Sequence, residues 1–529
     1  MNMPAIAPIV THFARFLGGG DARGEQAAAL AVQATQAGHV CADLDSEAGW
    51  GPWASALDAR QREAFRASLP GLSMVGAPDD WTPLVWDGRR LYLRRYYEYE
   101  RRVAADLPAR IATPKQLDAH DEKKLAECFA DPGQRAAARI ALTQRLALIS
   151  GGPGTGKTHT LAHIIGLLQE TNPRLRIALA APTGKAAARM GEALAAAGVT
   201  VDGGARTLHR LLGVRADGHG FHHDRDRPLA ADVLVVDEAS MIDLSLMAHL
   251  LDALPETARL ILLGDRDQLA AVEAGAVFAD LCDSPRLAAC VALLSTSFRF
   301  GAESGIGQLA ERLRAGDAAG AFDQLNADHG DLDWQSHGTA SGLIDAAREG
   351  YRDYRDGVAA GLSPDELFAR FNRFRVLCAH RQDAAAVNRA LTGESPRPAA
   401  GTPLMILRND PLLRVFNGDI GIALVDSADG QLKCCFPGEP NEWRWLSLTR
   451  LPAWEPAWAM TVHKSQGSEF ERVMLVLPNT VSPVATRELV YTGVTRAKRT
   501  ITLRADEAVL RAAIDCRAER MSGLRDRLR

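Results

Sequence analysis

The feature that most restricts what this chain can fold into is the octapeptide GGPGTGKT at residues 151–158, which follows an apolar run at residues 146–150. It fits the phosphate-binding pattern G-x-x-x-x-G-K-[ST], and a helix-like run follows at residues 161–168. The glycines allow backbone N–H groups to turn toward a phosphate at a helix N-terminus, where the helix dipole adds positive potential. The sequence therefore predicts a strand–loop–helix unit that binds a nucleotide.

Each residue of this loop is a predicted nucleotide-binding residue. The set comprises Gly151, Gly152, Pro153, Gly154, Thr155, Gly156, Lys157 and Thr158. We expect Lys157 to reach the β- and γ-phosphates and the Thr158 hydroxyl to bind Mg²⁺. ATP and Mg²⁺ are thus the predicted cofactors.

Apolar runs and helical stretches alternate around this loop. The runs at residues 146–150, 177–180, 233–236 and 260–263 show little polar alternation, which is typical of strands buried on both faces of a parallel sheet. They predict a doubly wound α/β domain over about 109–300, with ligands at the carboxyl ends of its strands.

A second α/β pattern covers residues 301–529, with strand candidates at 375–379 and 473–477. Short strands with Asn-Gly and Asp-Gly turns interrupt it at about 402–455 and predict a small β-barrel insert.

Polar side chains follow two of the predicted strands of the first domain. Asp237 and Glu238 come directly after the run at 233–236, and Gln268 follows the run at 260–263. We expect Asp237 to hold Mg²⁺ and Glu238 to act as a general base on the attacking water. A glutamine amide can donate to a phosphate and accept from water, so Gln268 is a candidate sensor of the γ-phosphate.

Composition bounds the remaining possibilities. A length of 529 residues predicts several domains, and the net charge of −4 excludes a histone-like polycation but not a basic groove. The eight cysteines form no C-x-x-C pattern, no basic residue precedes the short apolar N-terminus, and no long apolar run is present. These features favour a cytoplasmic protein with free thiols. Only eight of the 61 basic residues are lysines, and four of them (Lys157, Lys185, Lys464 and Lys498) lie in the motifs discussed here.

Two segments allow alternative interpretations. Residues 1–108 end in a stretch at 91–100 that holds four of the seven tyrosines. This stretch is interpreted as an amphipathic helix with inward aromatic rings or as a docking surface. The histidine-rich piece at 213–228 favours a solvated hairpin over a metal site, because it lacks a second ligand pair.

Further motifs connect the chain to a known family. They are APTGK at 181–185, VVDEASM at 235–241, LGDRDQL at 263–269, AMTVHKSQGSEF at 459–470 and YTGVTRAK at 491–498. With the phosphate loop, in this order, they closely resemble superfamily 1 DNA helicases and, among these, the RecD family, the α subunits of exodeoxyribonuclease V.

The resemblance implies an α/β fold with two RecA-like P-loop domains in tandem, an SH3-like insert at 402–455, a short hairpin insert at about 213–230 and a mainly helical, partner-docking N-terminal domain at 1–108. It also implies roles for individual residues. Arg299 and Arg496, which alone would be ordinary surface arginines, become catalytic groups that neutralise γ-phosphate charge. Gln134, Gln466 and Glu469 become nucleotide contacts. The implied DNA-binding residues are Thr183, Lys185, Thr207, His209, Thr461, His463 and Lys464.

The activity implied by the resemblance is an ATP-dependent 5′-to-3′ DNA helicase that works with RecB-like and RecC-like subunits on single-stranded DNA and duplex ends. Its setting would be double-strand break repair by homologous recombination and degradation of linear DNA. No nuclease motif is present, so nuclease activity would belong to a partner. A stand-alone helicase, or a regulatory ATP-binding subunit with little motor activity, remains the alternative.

Overall fold

A computed structural model describes residues 7–111, 116–215, 218, 220–301, 303–393, 397–438 and 442–529. The predicted N-terminal domain, hairpin and β insert each include a few residues outside these ranges. The chain forms two compact units. Unit 1 holds residues 1–266, 270–296 and 519–529, and unit 2 holds residues 267–269 and 297–518.

The N-terminal region combines four helices with a small mixed sheet. Its helices are α1 (Pro8–Gly18), α2 (Ala22–Gln36), α3 (Ala59–Ser68) and α4 (Arg94–Ala109), and its strands are β1 (Ala42–Asp43), β2 (Val75–Gly76), β3 (Leu84–Trp86) and β4 (Arg90–Leu93). The strand order is β1-β4-β3-β2. The predicted helical character is confirmed, and the sheet is an addition to it.

The tyrosine-rich stretch is only partly helical, because residues up to Leu93 form β4 and the helix α4 begins at Arg94. The rings of Tyr92, Tyr97 and Tyr99 are all buried. They join the same apolar core as strands of the parallel sheet of unit 1. These three rings pack inward, as the amphipathic-helix interpretation predicts for them, whereas Tyr96 is half-buried, and docking by this stretch stays a prediction.

The rest of unit 1 is a doubly wound domain. Its helices are α5 (Ala119–Cys128), α6 (Pro132–Thr143), α7 (Lys157–Thr171), α8 (Gly184–Ala196), α9 (Leu208–Leu212), α10 (Leu244–Ala253) and α11 (Val277–Cys282), and its strands are β5 (Leu146–Gly151), β6 (Ile177–Ala181), β7 (Ala205–Thr207), β8 (Val233–Val236), β9 (Arg259–Gly264) and β10 (Val291–Leu294). The strand order is β10-β5-β9-β8-β6-β7, and every pairing is parallel. The four predicted strands are present, and two apolar cores cover the two faces of this sheet.

The histidine-rich piece forms a hairpin. Val214 and Phe221 make an antiparallel bridge, and the backbone N–H of His222 donates to the carbonyl of Gly213. Residues 216, 217 and 219 lie outside the described part. Within the described part, no group of three or more His, Cys, Asp or Glu side chains is arranged to hold a metal ion.

Unit 2 contains a second parallel sheet and an antiparallel one. Its helices are α12 (Gly305–Ala315), α13 (Ala318–Asn326), α14 (Ala340–Gly350), α15 (Arg352–Ala359), α16 (Pro364–Phe371), α17 (Arg381–Thr392), α18 (Arg487–Val494) and α19 (Glu507–Asp515), and its strands are β11 (Leu332–Gln335), β12 (Phe374–Cys378), β13 (Pro403–Ile406), β14 (Ile420–Val425), β15 (Leu432–Pro437), β16 (Trp443–Ser447), β17 (Trp454–Pro456), β18 (Ala459–Thr461), β19 (Phe470–Val476) and β20 (Ala497–Arg504). The parallel sheet has the order β11-β20-β19-β12-β18.

The predicted insert is a five-stranded antiparallel sheet with the order β16-β15-β14-β13-β17. Its two predicted turns contain Gly418 and Gly430, whose φ values of 92° and 69° lie in the left-handed region that glycine adopts without strain. Residues 439–441 of the insert are outside the described part of the chain.

Residues 519–529, which the sequence assigned to the second domain, belong to unit 1. This C-terminal segment includes the short helix α20 (Leu524–Arg527). Leu524 and Leu528 are fully buried in the core that also holds Tyr92 and Leu107. The polar side chains of the segment make ion pairs with acids of unit 1, so both its apolar and its charged residues hold it there.

Among the described residues, no helix combines the length and the apolar character needed to cross a bilayer. All eight cysteines are free, as expected from their scattered positions.

Candidate functional site

The carboxyl edge of the parallel sheet of unit 1 gathers most of the predicted site residues. The phosphate loop follows β5, Asp237 follows β8, and Thr183 and Thr207 follow or end the neighbouring strands β6 and β7. Because all six strands are parallel, these positions share one edge of the sheet. The sequence motifs are far apart along the chain, and the sheet order brings them together.

The phosphate loop has the geometry that its glycines predict. Gly154 and Gly156 have φ values of 80° and 78°, and α7 begins directly after the loop at Lys157. At Gly151 a Cβ would lie 2.6 Å from the Thr155 hydroxyl, so a side chain there would collide with the loop. The loop is thus a tight turn at the N-terminus of a 15-residue helix, a position where backbone N–H groups favour an anion.

Lys157 points back over this loop. Its ammonium donates hydrogen bonds to the carbonyl oxygens of Gly151 and Gly152, the second at 3.1 Å. These neutral acceptors hold the charge at the loop without neutralising it. A phosphate would therefore meet a positive charge that is already positioned.

Gln134 braces the loop from α6. It is 5% exposed, and its side-chain amide donates to the carbonyl oxygen of Thr155 at 3.1 Å. Its own backbone N–H donates to the Asp131 carboxylate, which also accepts a hydrogen bond from the Thr296 hydroxyl at 2.8 Å. Asp131 is a site-supporting residue that the sequence interpretation missed. Its position as the residue before Pro132, at the start of a helix, is the signal that could have revealed it.

Asp237 and Glu238 lie side by side at the end of β8. Burial, with the neighbouring Glu238 carboxylate, raises the pKa of Asp237 to about 6, while the Lys157 ammonium opposes this rise. Glu238 has a φ of 55°, which is uncommon for a residue with a side chain. Strain of this kind persists where the surrounding structure fixes the conformation, and it is found here in the residue that directly follows Asp237.

Gln268 contacts Arg496 within unit 2. The Arg496 guanidinium, 3% exposed, donates to the Gln268 side-chain oxygen at 2.9 Å and to the carbonyl oxygens of Thr492 and Ser468, each at 3.2 Å. Gln466 is also buried, and its amide donates to the carbonyl oxygen of Leu269 at 2.8 Å. The glutamine and arginine motifs thus form one buried hydrogen-bonded group.

Arg299 and Glu469, both predicted to face the nucleotide, form an ion pair with N and O atoms 2.5 Å apart. Lys498 approaches the same carboxylate at 3.5 Å. The Nη1 atom of Arg299 is buried and has no hydrogen-bond acceptor within the described residues. The next residue toward the N-terminus, Phe298, is 61% exposed. An exposed ring beside a half-buried arginine is a feature that the sequence interpretation missed.

The predicted DNA-binding residues of unit 1 stand at two helix starts. The Thr183 hydroxyl accepts the backbone N–H of Ala186 at the start of α8, and the Thr207 hydroxyl accepts that of Arg210 at the start of α9. Thr207 pairs with Ala181 across β6 and β7, so the two helix starts are neighbours. Lys185 and His209 are exposed beside them.

The predicted DNA-binding residues of unit 2 surround the short 3-10 helix His463–Ser465. Thr461 is 6% exposed, and its hydroxyl accepts the backbone N–H of Lys464 at 3.4 Å. Lys464 is exposed and forms an ion pair with Glu455 at 2.6 Å. His463 is half-buried. Thr461 therefore shapes this turn, while His463 and Lys464 present side chains at the surface.

The fold and the site define a class: an α/β P-loop ATPase with two parallel sheets. Three family models match the chain. The model "RecBCD enzyme subunit RecD, N-terminal domain" matches residues 4–92, an "AAA domain" model matches 134–274, and a "UvrD-like helicase C-terminal domain" model matches 456–503.

Curated relatives extend these matches over nearly the whole chain. The RecBCD enzyme subunit RecD of Mycobacterium tuberculosis is 41% identical over 97% of this chain and 92% of its own length. The RecBCD enzyme subunit RecD of Haemophilus influenzae is 35% identical over 84% of this chain and 80% of its own length. The ATP-dependent RecD2 DNA helicase of Deinococcus radiodurans is 33% identical over 77% of this chain and 54% of its own length. The chain belongs to the RecD family of RecBCD enzyme subunits. The predicted family is confirmed, and with it the predicted class, an ATP-dependent DNA helicase.

Solved structures of Pif1 helicases are more distant. The Bacteroides protein bound to ssDNA is 18% identical over 72% of this chain and 94% of its own, with a TM-score of 0.42. The Candida albicans protein is 18% identical over 72% and 96%, with a TM-score of 0.43.

Proposed function

We propose that this chain is the 5′-to-3′ DNA motor subunit of a RecBCD-type complex, which hydrolyses ATP as it moves along one strand. The observation that carries this proposal is the shared carboxyl edge of the first parallel sheet. There the phosphate loop and the Asp237–Glu238 pair lie at the ends of strands in the same sheet as Thr183 and Thr207. A nucleotide site and a strand-binding edge on one sheet provide the minimum a DNA-driven ATPase needs. The polarity comes from the family resemblance.

Nucleotide binding rests on residues that are already in place. The loop turns of Gly154 and Gly156 direct backbone N–H groups outward, and Lys157 supplies the charge for the β- and γ-phosphates. A hydroxyl at Thr158 and a carboxylate at Asp237 are hard oxygen donors of the kind that fits Mg²⁺. Thr158 and Asp237 would hold Mg²⁺, which would supply positive charge to offset that of the phosphates. The neighbouring Glu238 favours a cation at Asp237, because the carboxylates repel each other without one.

Hydrolysis needs a base and a cation for the developing charge. Glu238, which has a left-handed backbone two residues after the end of β8, is the proposed base that takes the proton of the attacking water. Arg299 and Arg496 are the proposed cationic groups for the γ-phosphate, and the Nη1 atom of Arg299 has no acceptor in the described residues. Gln268 would report the γ-phosphate to Arg496, to which it is hydrogen-bonded.

The proposed DNA track uses contacts that read no bases. Thr183 and Thr207 cap neighbouring helix starts, where backbone N–H groups favour phosphate, and Lys185 and His209 are exposed next to them. His463 and Lys464 are the corresponding surface groups of unit 2. We place the hairpin near residue 213 and an SH3-like insert at 402–455 as accessory elements of the same motor.

Partner docking is assigned to helix α1 of the N-terminal region. Val10 and Ala14 are fully buried on one face, whereas Ile9, Phe13 and Phe16 are 67%, 40% and 83% exposed on the other. Their i, i+4, i+7 spacing forms one uncharged stripe along the helix. An apolar stripe fits the apolar face of another protein subunit better than DNA or solvent. We assign it to a RecB-like or RecC-like subunit, which fits the match of residues 4–92 to a RecD N-terminal model.

The eight free thiols fit a cytoplasmic location.

An unwinding assay tests the motor function. The protein, alone and with its co-purified partner subunits, is given 5′-tailed and 3′-tailed duplexes with ATP. Unwinding of the 5′-tailed duplex only within the complex supports the proposal. Equal unwinding by the isolated chain favours the stand-alone helicase, and no DNA-stimulated hydrolysis in either form favours the regulatory subunit.

Substitution of the α1 stripe tests the docking assignment. The double variant Ile9→Ser, Phe16→Ser is expected to lose co-purification with its partners and keep its ATPase activity. Leu412→Ser is the matched control, because Leu412 is 96% exposed on the β insert. Normal co-purification of the double variant would exclude α1 as the docking surface.

A further inference from the structure

One three-residue segment belongs to a different unit of the fold from the residues on either side of it in the sequence. Residues 267–269 belong to unit 2, although residues up to 266 and from 270 to 296 belong to unit 1. The segment includes Gln268, the proposed sensor of the γ-phosphate. Its position within unit 2 is therefore set by whatever binds it there.

Leu269 is held at both of its backbone polar groups. Its N–H donates to the Thr492 hydroxyl at 3.0 Å, and its carbonyl oxygen accepts from the Gln466 amide at 2.8 Å. Its side chain is 6% exposed and packs in the main apolar core of unit 2. Leu269 is outside any strand, so two side chains provide the partners that a neighbouring strand would otherwise supply.

Thr492 lies at the centre of this arrangement. It is fully buried on α18, and its carbonyl oxygen accepts a hydrogen bond from Nε of Arg496 at 3.2 Å. The same residue thus binds Leu269 through its hydroxyl and Arg496 through its backbone. Since Gln268 precedes Leu269 and accepts from Arg496, Thr492 fixes both members of the Gln268–Arg496 pair.

We infer that Thr492 is a positioning residue for the ATPase reaction. Its hydroxyl fixes the backbone of Leu269 so that Gln268 and Arg496 meet in a single geometry. The inference rests on the proposed function, because the pair has a reaction to serve only if the chain hydrolyses ATP. The contact between the Thr492 hydroxyl and residues 267–269 does not itself depend on any activity.

The test compares three variants. Thr492→Val removes the hydroxyl and keeps the shape, and Thr492→Ser keeps the hydroxyl. Thr495→Val is the matched control: Thr495 is 1% exposed, and its hydroxyl donates only to the carbonyls of Tyr491 and Thr492 among the described residues. Both valine variants therefore lose one buried hydroxyl from the same stretch of chain.

Two readouts are needed. Hydrogen exchange of a peptide covering residues 267–269 should accelerate by about tenfold or more in Thr492→Val, because a buried N–H loses its acceptor. Steady-state kinetics should show a kcat for DNA-stimulated ATP hydrolysis lowered by about tenfold, with KM unchanged, because misplaced groups lose transition-state contacts. Thr492→Ser and Thr495→Val should keep wild-type values in both measurements.

Unchanged exchange in Thr492→Val would overturn the inference, because the hydroxyl would then not hold the segment. Faster exchange with an unchanged kcat would also overturn it, since the contact would have no part in positioning Gln268. A wild-type protein without DNA-stimulated ATPase would refute the proposed function instead. In that case, comparing hydrogen exchange in Thr492→Val and Thr495→Val would still show whether the Thr492 hydroxyl holds residues 267–269.

Discussion

Two aspartates of unit 1, the half-buried Asp237 and the buried Asp280, have the same raised pKa in different surroundings. Burial is the main cause in both, and it raises the pKa of Asp237 and of Asp280 to about 6. Asp280 forms an ion pair with Arg525 at 2.6 Å, whereas the only hydrogen bond described to the Asp237 carboxylate comes from the backbone N–H of Glu238. The Asp237 carboxylate therefore suits a further cation, whereas Asp280 already binds a guanidinium through Oδ1, and its Oδ2 is buried with no hydrogen-bond partner among the described residues.

The difference extends to the neighbours of each acid. Near Asp237, Glu238 adds a second negative charge and Lys157 donates only to neutral carbonyls. Near Asp280, the fully buried Glu100 accepts from Tyr92, Ser522, Gly523 and Arg527. A raised pKa alone therefore does not mark a functional acid. A functional acid is marked instead by the charges and hydrogen-bond partners that surround it.

The largest effect is expected for Lys157, whose two described hydrogen bonds go to neutral carbonyl oxygens of the phosphate loop. Lys157→Gln should lower ATP hydrolysis and unwinding by at least about 1000-fold, because the phosphates lose their main positive contact. The thermal midpoint and the co-purification with partners should remain unchanged. Steady-state ATPase assays and calorimetry measure both. Unwinding of a 5′-tailed duplex at the parental rate would refute the site.

Glu238→Gln tests the acid beside Asp237. Loss of a general base is expected to lower kcat by about 100-fold to 10,000-fold, with nucleotide binding kept. Asp280→Asn is the matched control, because it changes an acid with an equally raised pKa outside the site, and it should keep kcat within twofold. Equal losses in the two variants would remove the distinction between the clusters.

Glu100→Gln tests the acid cluster at the C-terminal segment. It leaves the Arg527 guanidinium without its carboxylate in a buried place, so stability should fall by about 3 kcal/mol. Hydrolysis per folded molecule should not change. Urea unfolding followed by tryptophan fluorescence measures the loss. Glu98→Gln on the same helix should cost less than about 1 kcal/mol, because the Glu98 side chain is 20% exposed whereas that of Glu100 is fully buried.

The smallest effect concerns pH. The native pKa of Asp280, about 6, lies above its ordinary value of 3.8, so the folded state holds a proton that the unfolded state has released. The wild-type protein should therefore lose about 1.4 kcal/mol of stability between pH 5 and pH 7.5 relative to Asp280→Asn. Unfolding of both proteins at the two pH values measures this difference. A constant difference between them would mean that Asp280 is ionised throughout.

Local patterns were sufficient for much of the fold. The strand Val233–Val236 has the predicted bounds, because a continuous apolar run between polar residues leaves little freedom for a buried strand. The phosphate loop and the start of α7 follow from glycine and lysine positions alone. The secondary structure of the tyrosine stretch was harder to predict, since Tyr92 and Tyr97 are both buried but Tyr92 belongs to a strand and Tyr97 to a helix.

Long-range contacts could not be read from the sequence. The hydrogen bond between Leu269 and Thr492 joins residues 223 positions apart, and the contact of Arg527 with Glu100 spans 427. Neither pair has a local signal, because their residue types are ordinary and only the folded chain brings them together. The same reason explains why the sequence placed residues 519–529 in the second domain, whereas in the structure they belong to unit 1.

The burial of Leu524 and Leu528 has a consequence for biosynthesis. These side chains complete the core that contains Tyr92 and Leu107, yet the ribosome adds Leu528 about 420 residues after Leu107. At about 5–20 residues per second, this gap corresponds to roughly 20–80 s. During that interval the core around Tyr92 and Leu107 exposes an apolar surface that residues 519–529 later cover. Nascent chains arrested before residue 519 should therefore bind chaperones that recognise apolar surface.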